Sequence, residues 1–244
     1  MKKRIQAFVI AILVILPILA VAATQNVRAT SNPTITVIDS AAILQNHMFF
    51  YVKPGQTINL TIYVTGVTSL WSWKVNVTWD SSVLQLAPTG NVTEGPFLSN
   101  NGAQSTMFVE TPPTAGNIAE LSSTLLENTS VSGSGALAYI AFTPQTLGVN
   151  TTITIGDVRL VDPTGTDMYP TGLNVISKTI SIRLMGDING DNVVNMKDIA
   201  LVARAFGASQ TSPNWREACD LNYDGVINMK DIALTARQFG QHYP

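Results

Sequence analysis

The chain has 244 residues, 45% of them hydrophobic and only 12% charged, with a net charge of −2. That is enough chain for one or two domains with proper cores, and too little charge for a disordered or nucleic-acid-binding protein. The small net charge hides an asymmetry: residues 1–30 carry Lys2, Lys3, Arg4 and Arg28 without an acid, which leaves −6 on the remainder, a balance that suits cations and not phosphates.

Residues 1–30 read as an export segment. Lys2-Lys3-Arg4 forms a basic start, Ala7 to Ala23 is an apolar run of 17 residues broken only by Pro17, and Ala20-Val21-Ala22 supplies a small-residue cleavage pattern. The alternative is an uncleaved anchor, since 17 residues lies at the low edge for spanning a bilayer. Both readings place the remainder outside the cytoplasm, secreted or at the cell surface.

Residues 33–183 carry a succession of short strand signals. Ile58, Leu60, Ile62 and Val64 alternate with Thr57, Asn59, Thr61 and Tyr63; Trp71, Trp73, Val75, Val77 and Trp79 alternate with Ser72, Lys74, Asn76 and Thr78; Ile153 and Ile155 alternate with Thr152 and Thr154. Period two is the mark of a half-buried strand. Turn chemistry separates the runs, as at Lys53-Pro54-Gly55, Ser132-Gly133-Ser134-Gly135 and Asp162-Pro163-Thr164-Gly165. Such spacing, with no helical period between the runs, predicts an antiparallel sandwich. The tryptophans share a parity with Val75 and Val77, which predicts that they are core and not a sugar-binding platform.

Five Asn-x-Ser/Thr triplets, at Asn59, Asn76, Asn91, Asn128 and Asn150, make these asparagines glycosylation candidates; Asn59, Asn76 and Asn150 fall on the polar parity. Cys219 is the single cysteine, so no internal disulfide forms, and it reads as a small packing residue.

Pro54-Gly55-Gln56-Thr57, Val67-Thr68-Ser69-Leu70 and the stretch from Val77 to Leu84 together resemble the opening of cohesin domains. Gly133 to Phe142 and Ile155 to Asp162 look like later strands of that family. Trp79 stands where the family usually has Tyr, and Ser81 where it usually has Pro. The resemblance implies a nine-stranded jelly roll that binds dockerins, a fold that carbohydrate-binding modules share.

The sharpest signal lies near the C-terminus. Asp187-Ile-Asn-Gly-Asp-Asn-Val-Val-Asn-Met-Lys-Asp198 recurs 33 residues later as Asp220-Leu-Asn-Tyr-Asp-Gly-Val-Ile-Asn-Met-Lys-Asp231, and the copies agree at 15 of 21 positions up to Gly207 and Gly240. Calcium takes six to eight oxygen ligands, and the EF-hand loop presents them at positions 1, 3, 5, 7, 9 and 12. Here those positions are Asp187, Asn189, Asp191, Val193 through its carbonyl, Asn195 and Asp198, then Asp220, Asn222, Asp224, Val226 through its carbonyl, Asn228 and Asp231. Two Ca2+ ions are therefore expected. Position 12 is Asp in place of the usual Glu, and position 6 is Asn192 in loop one but Gly225 in loop two. Asn tolerates a left-handed backbone, so loop one should close but bind more weakly.

A helix is expected after each loop, over 196–206 and 229–239, with Ile199, Val202, Phe206 and Ile232, Thr235, Phe239 along one face and Gly207 and Gly240 just beyond. No helix leads into loop one, unlike in a sensor EF-hand. This loop-and-helix repeat resembles the dockerin family over residues 186–241. The resemblance implies a fold built on two calcium ions that binds cohesins. It also implies partner-reading positions at Met196, Lys197 and Arg204 in the first copy and Met229, Lys230 and Arg237 in the second. Many dockerins carry a Ser/Thr pair where Met-Lys stands, which points to a different partner code.

The sequence thus predicts a mainly β chain: a jelly-roll sandwich over 33–183, followed over 186–241 by a small α domain of two calcium loop–helix repeats. No paired catalytic groups stand out, since His47 and His242 are the only histidines and carboxylates are sparse in the sandwich. The functional expectation is a non-catalytic extracellular adaptor. A dockerin-bearing protein would bind the sandwich and a cohesin-bearing protein the tail, in polysaccharide-degrading assemblies. The alternatives are a carbohydrate-binding module carried by a dockerin, or a calcium-stabilised surface or adhesion protein.

Overall fold

The computed structural model describes residues 32–40, 48–53, 55–88 and 91–243. Residues 1–30, expected to be an export segment, and His47 lie outside the described residues. Among the described residues, no helix is long and apolar enough to cross a membrane.

Twelve described strands follow one another before the tail: β1 (Thr34–Asp39), β2 (Phe49–Val52), β3 (Ile58–Leu70), β4 (Ser72–Thr78), β5 (Leu84–Leu86), β6 (Val92–Glu94), β7 (Thr106–Glu110), β8 (Asn117–Leu125), β9 (Val131–Pro144), β10 (Val149–Val161), β11 (Asn174–Ile176) and β12 (Lys178–Leu184). They form two six-stranded sheets. One runs β11-β1-β3-β9-β5, with β6 also pairing β9; the other runs β2-β12-β10-β4-β8-β7. Pairing is antiparallel except for β1 with β11 and β2 with β12, each at a sheet edge. The sandwich thus has the expected architecture, with short edge strands beyond the nine implied by the cohesin resemblance.

The alternation read from the sequence sets the two inner faces. Ile58, Leu60, Ile62 and Val64 on β3, Trp73, Val75 and Val77 on β4, and Ile153 and Ile155 on β10 are all buried in one apolar cluster. Trp79 is buried, meets Phe142 edge to face at 5.2 Å, and donates Nε1–H to the Leu84 carbonyl at 3.0 Å. Trp71, between β3 and β4, is half-buried and packs against the same cluster; its backbone bonds to Val161 and Leu125, and it donates Nε1–H to the Glu127 carbonyl at 3.2 Å.

The tail follows β12 directly. Helix α1 (Met196–Arg204) and helix α2 (Met229–Arg237) are joined by a loop containing a single 3-10 turn, Glu217–Cys219. Both helices are shorter than expected. They stop at Arg204 and Arg237, so Phe206 and Phe239 leave the helical face and remain more than half exposed. Val202 and Thr235 are the residues that face inward. Cys219 is fully buried and its Sγ lies 3.7 Å from the Leu201 carbonyl, a packing role as expected.

Candidate metal loops and recognition surfaces

Each loop is built around its first and last carboxylates. Asp187, Asp198, Asp220 and Asp231 are buried, although Asp is rarely so unless paired. In loop one, Asp187 accepts from the amides of Gly190 (2.7 Å), Asp191 (3.2 Å) and Asn192 (2.9 Å). Asp198 reaches back from the helix to accept from Ile188 (2.9 Å), Asn189 (3.2 Å) and Asn195 (2.8 Å). Loop two repeats the pattern, with Asp220 accepting from Asp224 and Gly225, and Asp231 from Leu221 and Asn228. These bonds wind the loop and hold the carboxylates together beneath its turn.

Position 6 adopts the left-handed conformation in both copies, with φ of 65° at Asn192 and 80° at Gly225. Asparagine therefore closes loop one as expected. Position 3 donates its amide to position 5, Asn189 to Asp191 at 2.9 Å and Asn222 to Asp224 at 2.8 Å. Position 9 is turned towards the helix. Asn195 and Asn228 cap α1 and α2, accepting from Lys197 and Lys230 at 2.8 Å, and Asp198 and Asp231 complete capping boxes. In this conformation the oxygen of position 9 serves the helix, so a loop cation would reach that residue through water.

The electrostatics are compatible with a cation. Burial pushes the Asp187 carboxyl above its ordinary range, and repulsion from Asp198 and Asp191 adds to it. Asp220 is raised by burial in the same way, with Asp231 and Asp224 adding to it. Asp224, at the open side of its loop, is instead lowered, first by the Asn222 amide and further by Lys230, whose Nζ lies 3.4 Å away. Among the described residues, no three carboxylate, imidazole or thiolate groups gather into a closed metal cage. The donor set is mixed: carboxylates, asparagine amides and the carbonyls of Val193 and Val226. All-oxygen sets of this kind fit a hard cation such as calcium and exclude the thiolate-and-imidazole sites of zinc.

The two repeats depend on each other. Ile227 of loop two exchanges backbone hydrogen bonds with the end of α1, through Gly207 N–H at 2.8 Å and the Ala208 carbonyl at 2.9 Å. Val194 of loop one does the same with the end of α2, through Gly240 N–H at 2.8 Å and the Gln241 carbonyl at 2.9 Å. The copies are thereby arranged as a reciprocal pair.

On the outside, Met196 (64%) and Met229 (63%) are strongly exposed, and Lys197, Lys230, Arg204 and Arg237 are exposed beside them. Phe206, Phe239, Val193 and Val226 are also exposed, so each repeat presents the same apolar residues to solvent. The phenylalanines escape sequence reasoning because the 3.6-residue period carries them onto the core face of helices that end two residues earlier. The sandwich has its own open face. On the outer side of β10, β4, β8 and β7, a shallow depression is lined by Lys74, Met107, Val109, Glu120 and Arg159 among others. Met107 is 55% exposed, and Lys74 is paired to Asp157 at 3.0 Å and Glu120 at 3.5 Å.

Among the glycosylation candidates, Asn59, Asn128 and Asn150 are exposed and Asn91 is half-buried. Asn76 is half-buried too, and its Nδ2 donates to Asn117 Oδ1 at 2.8 Å and to the Ile118 carbonyl at 3.2 Å.

A two-sheet sandwich followed by paired loop–helix repeats defines a protein-recognition chain of the cohesin–dockerin class. Residues 51–182 match the cohesin domain and residues 185–240 the dockerin type I domain. The chain belongs to the cohesin family and carries a dockerin-type tail. These are non-catalytic interaction domains, they support dockerin- and cohesin-bearing proteins as partners, and dockerin type I domains bind calcium. Among solved structures, the chain is similar to the cohesin of a type II cohesin–X-dockerin complex from Acetivibrio cellulolyticus, at 20% identity and a TM-score of 0.50, over 62% of this chain and all of that one. It is similar at the same identity and TM-score to a type II cohesin dyad from an adaptor scaffoldin of that organism, over 62% of this chain and 50% of that one. A non-cellulosomal cohesin from the archaeon Archaeoglobus fulgidus aligns at 16% identity with a TM-score of 0.45, over 62% of this chain and 91% of that one. No curated protein matches the chain significantly.

Proposed function

We propose that this protein is an exported, calcium-dependent, non-catalytic adaptor that engages two partners at once. A dockerin-bearing protein would sit on the sandwich and a cohesin-bearing protein on the tail. The carrying observation is that both halves of one molecule expose apolar side chains: Met107 and Val109 on the sandwich, and the duplicated Met196 and Met229 on the tail. Two Ca2+ ions, one per loop, would hold the tail in its binding form. Export rests on Lys2-Lys3-Arg4 and the apolar run after it.

Burial of Trp73 and Trp79 weighs against a sugar-binding platform, which needs flat aromatic rings open to solvent. Participation in polysaccharide degradation would then come through the partners. Calorimetric titration of the full chain with purified cohesin and dockerin modules, in CaCl2 and in EDTA, tests the reading. Binding of a cohesin that EDTA abolishes, together with binding of a dockerin, is expected. Retention on polysaccharide gels with no affinity for either kind of module would overturn it. Met196→Ala with Met229→Ala should weaken cohesin binding by more than tenfold, while either change alone costs little if the copies substitute for each other. N-terminal sequencing of secreted protein tests the export segment.

A further inference from the structure

The two halves meet along a joint that the recognition surfaces do not use. On β2, Tyr51 donates its hydroxyl to the Ala218 carbonyl, two residues ahead of loop two. In return Tyr223, position 4 of loop two, donates its hydroxyl to the Phe49 carbonyl of β2 at 2.9 Å. The Met48 amide, just before β2, donates to the Glu217 carboxylate. From β12, Arg183 covers the Phe49 ring at 4.7 Å and donates to the Ile188 carbonyl, position 2 of loop one. Tyr51 packs within the apolar core of the tail, and Val194 of loop one packs within that of the sandwich.

Two of the differences between the repeats, at loop positions 4 and 6, fall at this joint. Position 4 is Gly190 in loop one and Tyr223 in loop two, both left-handed, with φ of 77° and 57°. Tyrosine is an uncommon occupant of that conformation, and here its hydroxyl reaches β2. Position 6 is Gly225 in loop two, but Asn192 in loop one lies against the β9–β10 turn, where a Cβ on Gly148 would come within 2.5 Å of its Oδ1. The Asn192 carbonyl accepts from the Tyr243 amide at 3.0 Å, and the Tyr243 hydroxyl donates to the Gln145 carbonyl of that turn at 3.2 Å. At positions 4 and 6, the residues that break the repeat, Tyr223 and Asn192, are thus ones that touch the sandwich.

We propose that this joint makes cation loading of the tail and the ordering of β2 one cooperative event, with β2 and the β9–β10 turn serving as an internal receptor for the chain's own cation-loaded tail. The inference rests on the reading of the loops as calcium sites. A bound ion would order the loops that carry Ile188, Asn192 and Tyr223, and these three touch the sandwich. Strand β2 has only four residues, lies at a sheet edge and, among the described residues, pairs with β12 alone; Phe50 and Val52 pack into the sandwich core while Phe49 and Tyr51 face the tail, so the tail's contacts secure one whole face of the strand. The two recognition surfaces would then be held in a fixed relation instead of swinging on a linker.

The test is amide hydrogen exchange on the full chain with CaCl2 and with EDTA, beside calorimetric Ca2+ titration. Exchange over Phe49–Val52 should quicken at least tenfold in EDTA while β3 and β9 stay protected. If α1 and α2 lose protection in EDTA and β2 does not, the proposal fails. Because coupling is reciprocal, Tyr51→Phe with Tyr223→Phe should weaken Ca2+ binding by about fivefold; unchanged affinity would also overturn it. The wild-type exchange experiment decides the matter should that variant not fold. Absence of any Ca2+ binding by the wild-type chain would instead overturn the calcium reading, and this inference with it.

Discussion

The sandwich and the tail solve the problem of stability in opposite ways. The sandwich buries a continuous apolar core between two sheets, with Trp73, Phe142 and Leu121 among its fully buried side chains. The tail has a small core, centred on Val202, Ala205, Cys219, Leu221 and Ile227, and buries four carboxylates beside it. A short chain segment cannot gain enough from apolar burial to offset its conformational entropy, and buried acids worsen the balance unless a cation compensates them. One half is therefore held by solvent exclusion and, on the proposed reading, the other by ion chemistry.

Removing the ion chemistry should separate the halves most sharply. Asp187→Ala with Asp220→Ala strips the first carboxylate from both loops and leaves buried loop amides without acceptors. The helical circular dichroism of the tail should be lost in CaCl2 as completely as in EDTA, while the strand signal persists. A helical signal that survives in the double variant would mean that the tail does not need its loops to fold.

The converse change strikes only the sandwich. Trp73→Ala should cost about 3–5 kcal/mol of sandwich stability through the cavity it opens. The denaturant midpoint should fall by the same amount with CaCl2 and with EDTA, since this part of the core owes nothing to the cation. A shift seen only in CaCl2 would show that the halves are coupled far beyond β2.

Cys219 offers a finer measure of the tail alone. Its thiol is fully buried, and burial raises its pKa to about 11. Alkylation of the native chain by iodoacetamide should be slow in CaCl2 and tens of times faster in EDTA, followed by mass spectrometry. Equal rates would show that chelation leaves the tail closed.

The smallest effect compares the repeats with each other. Thr235 is buried where the first copy has Val202, and its hydroxyl donates to the Asp231 carbonyl one turn earlier in its own helix at 3.0 Å. Thr235→Val loses a bond whose acceptor stays within the helical ladder, so stability should change by less than about 1 kcal/mol. A larger loss would mean that the hydroxyl supports the loop beyond its own helix.

Much of this was legible because it is local. Alternation along β3, β4 and β10 marks which side chains turn inward, and the spacing of Asp, Asn and Asp marks a wound oxygen-lined loop. Both are properties of a few consecutive residues. The pattern misleads where an element ends: Phe206 and Phe239 follow the helical period past the last helical residue. A periodic pattern tells which face a residue would share, while backbone hydrogen bonding decides where the element stops.

By itself, the sequence determined the class of both halves: the sandwich from period two and turn residues, and the loops from a repeated ligand spacing. Only the tertiary structure decided how the halves are joined. The residues at that joint, such as Tyr51 and Tyr223, lie more than 170 positions apart and form no motif. What unites them is the meeting of a short edge strand with a carboxylate-centred loop, a contact between surfaces that the chain brings together only on folding.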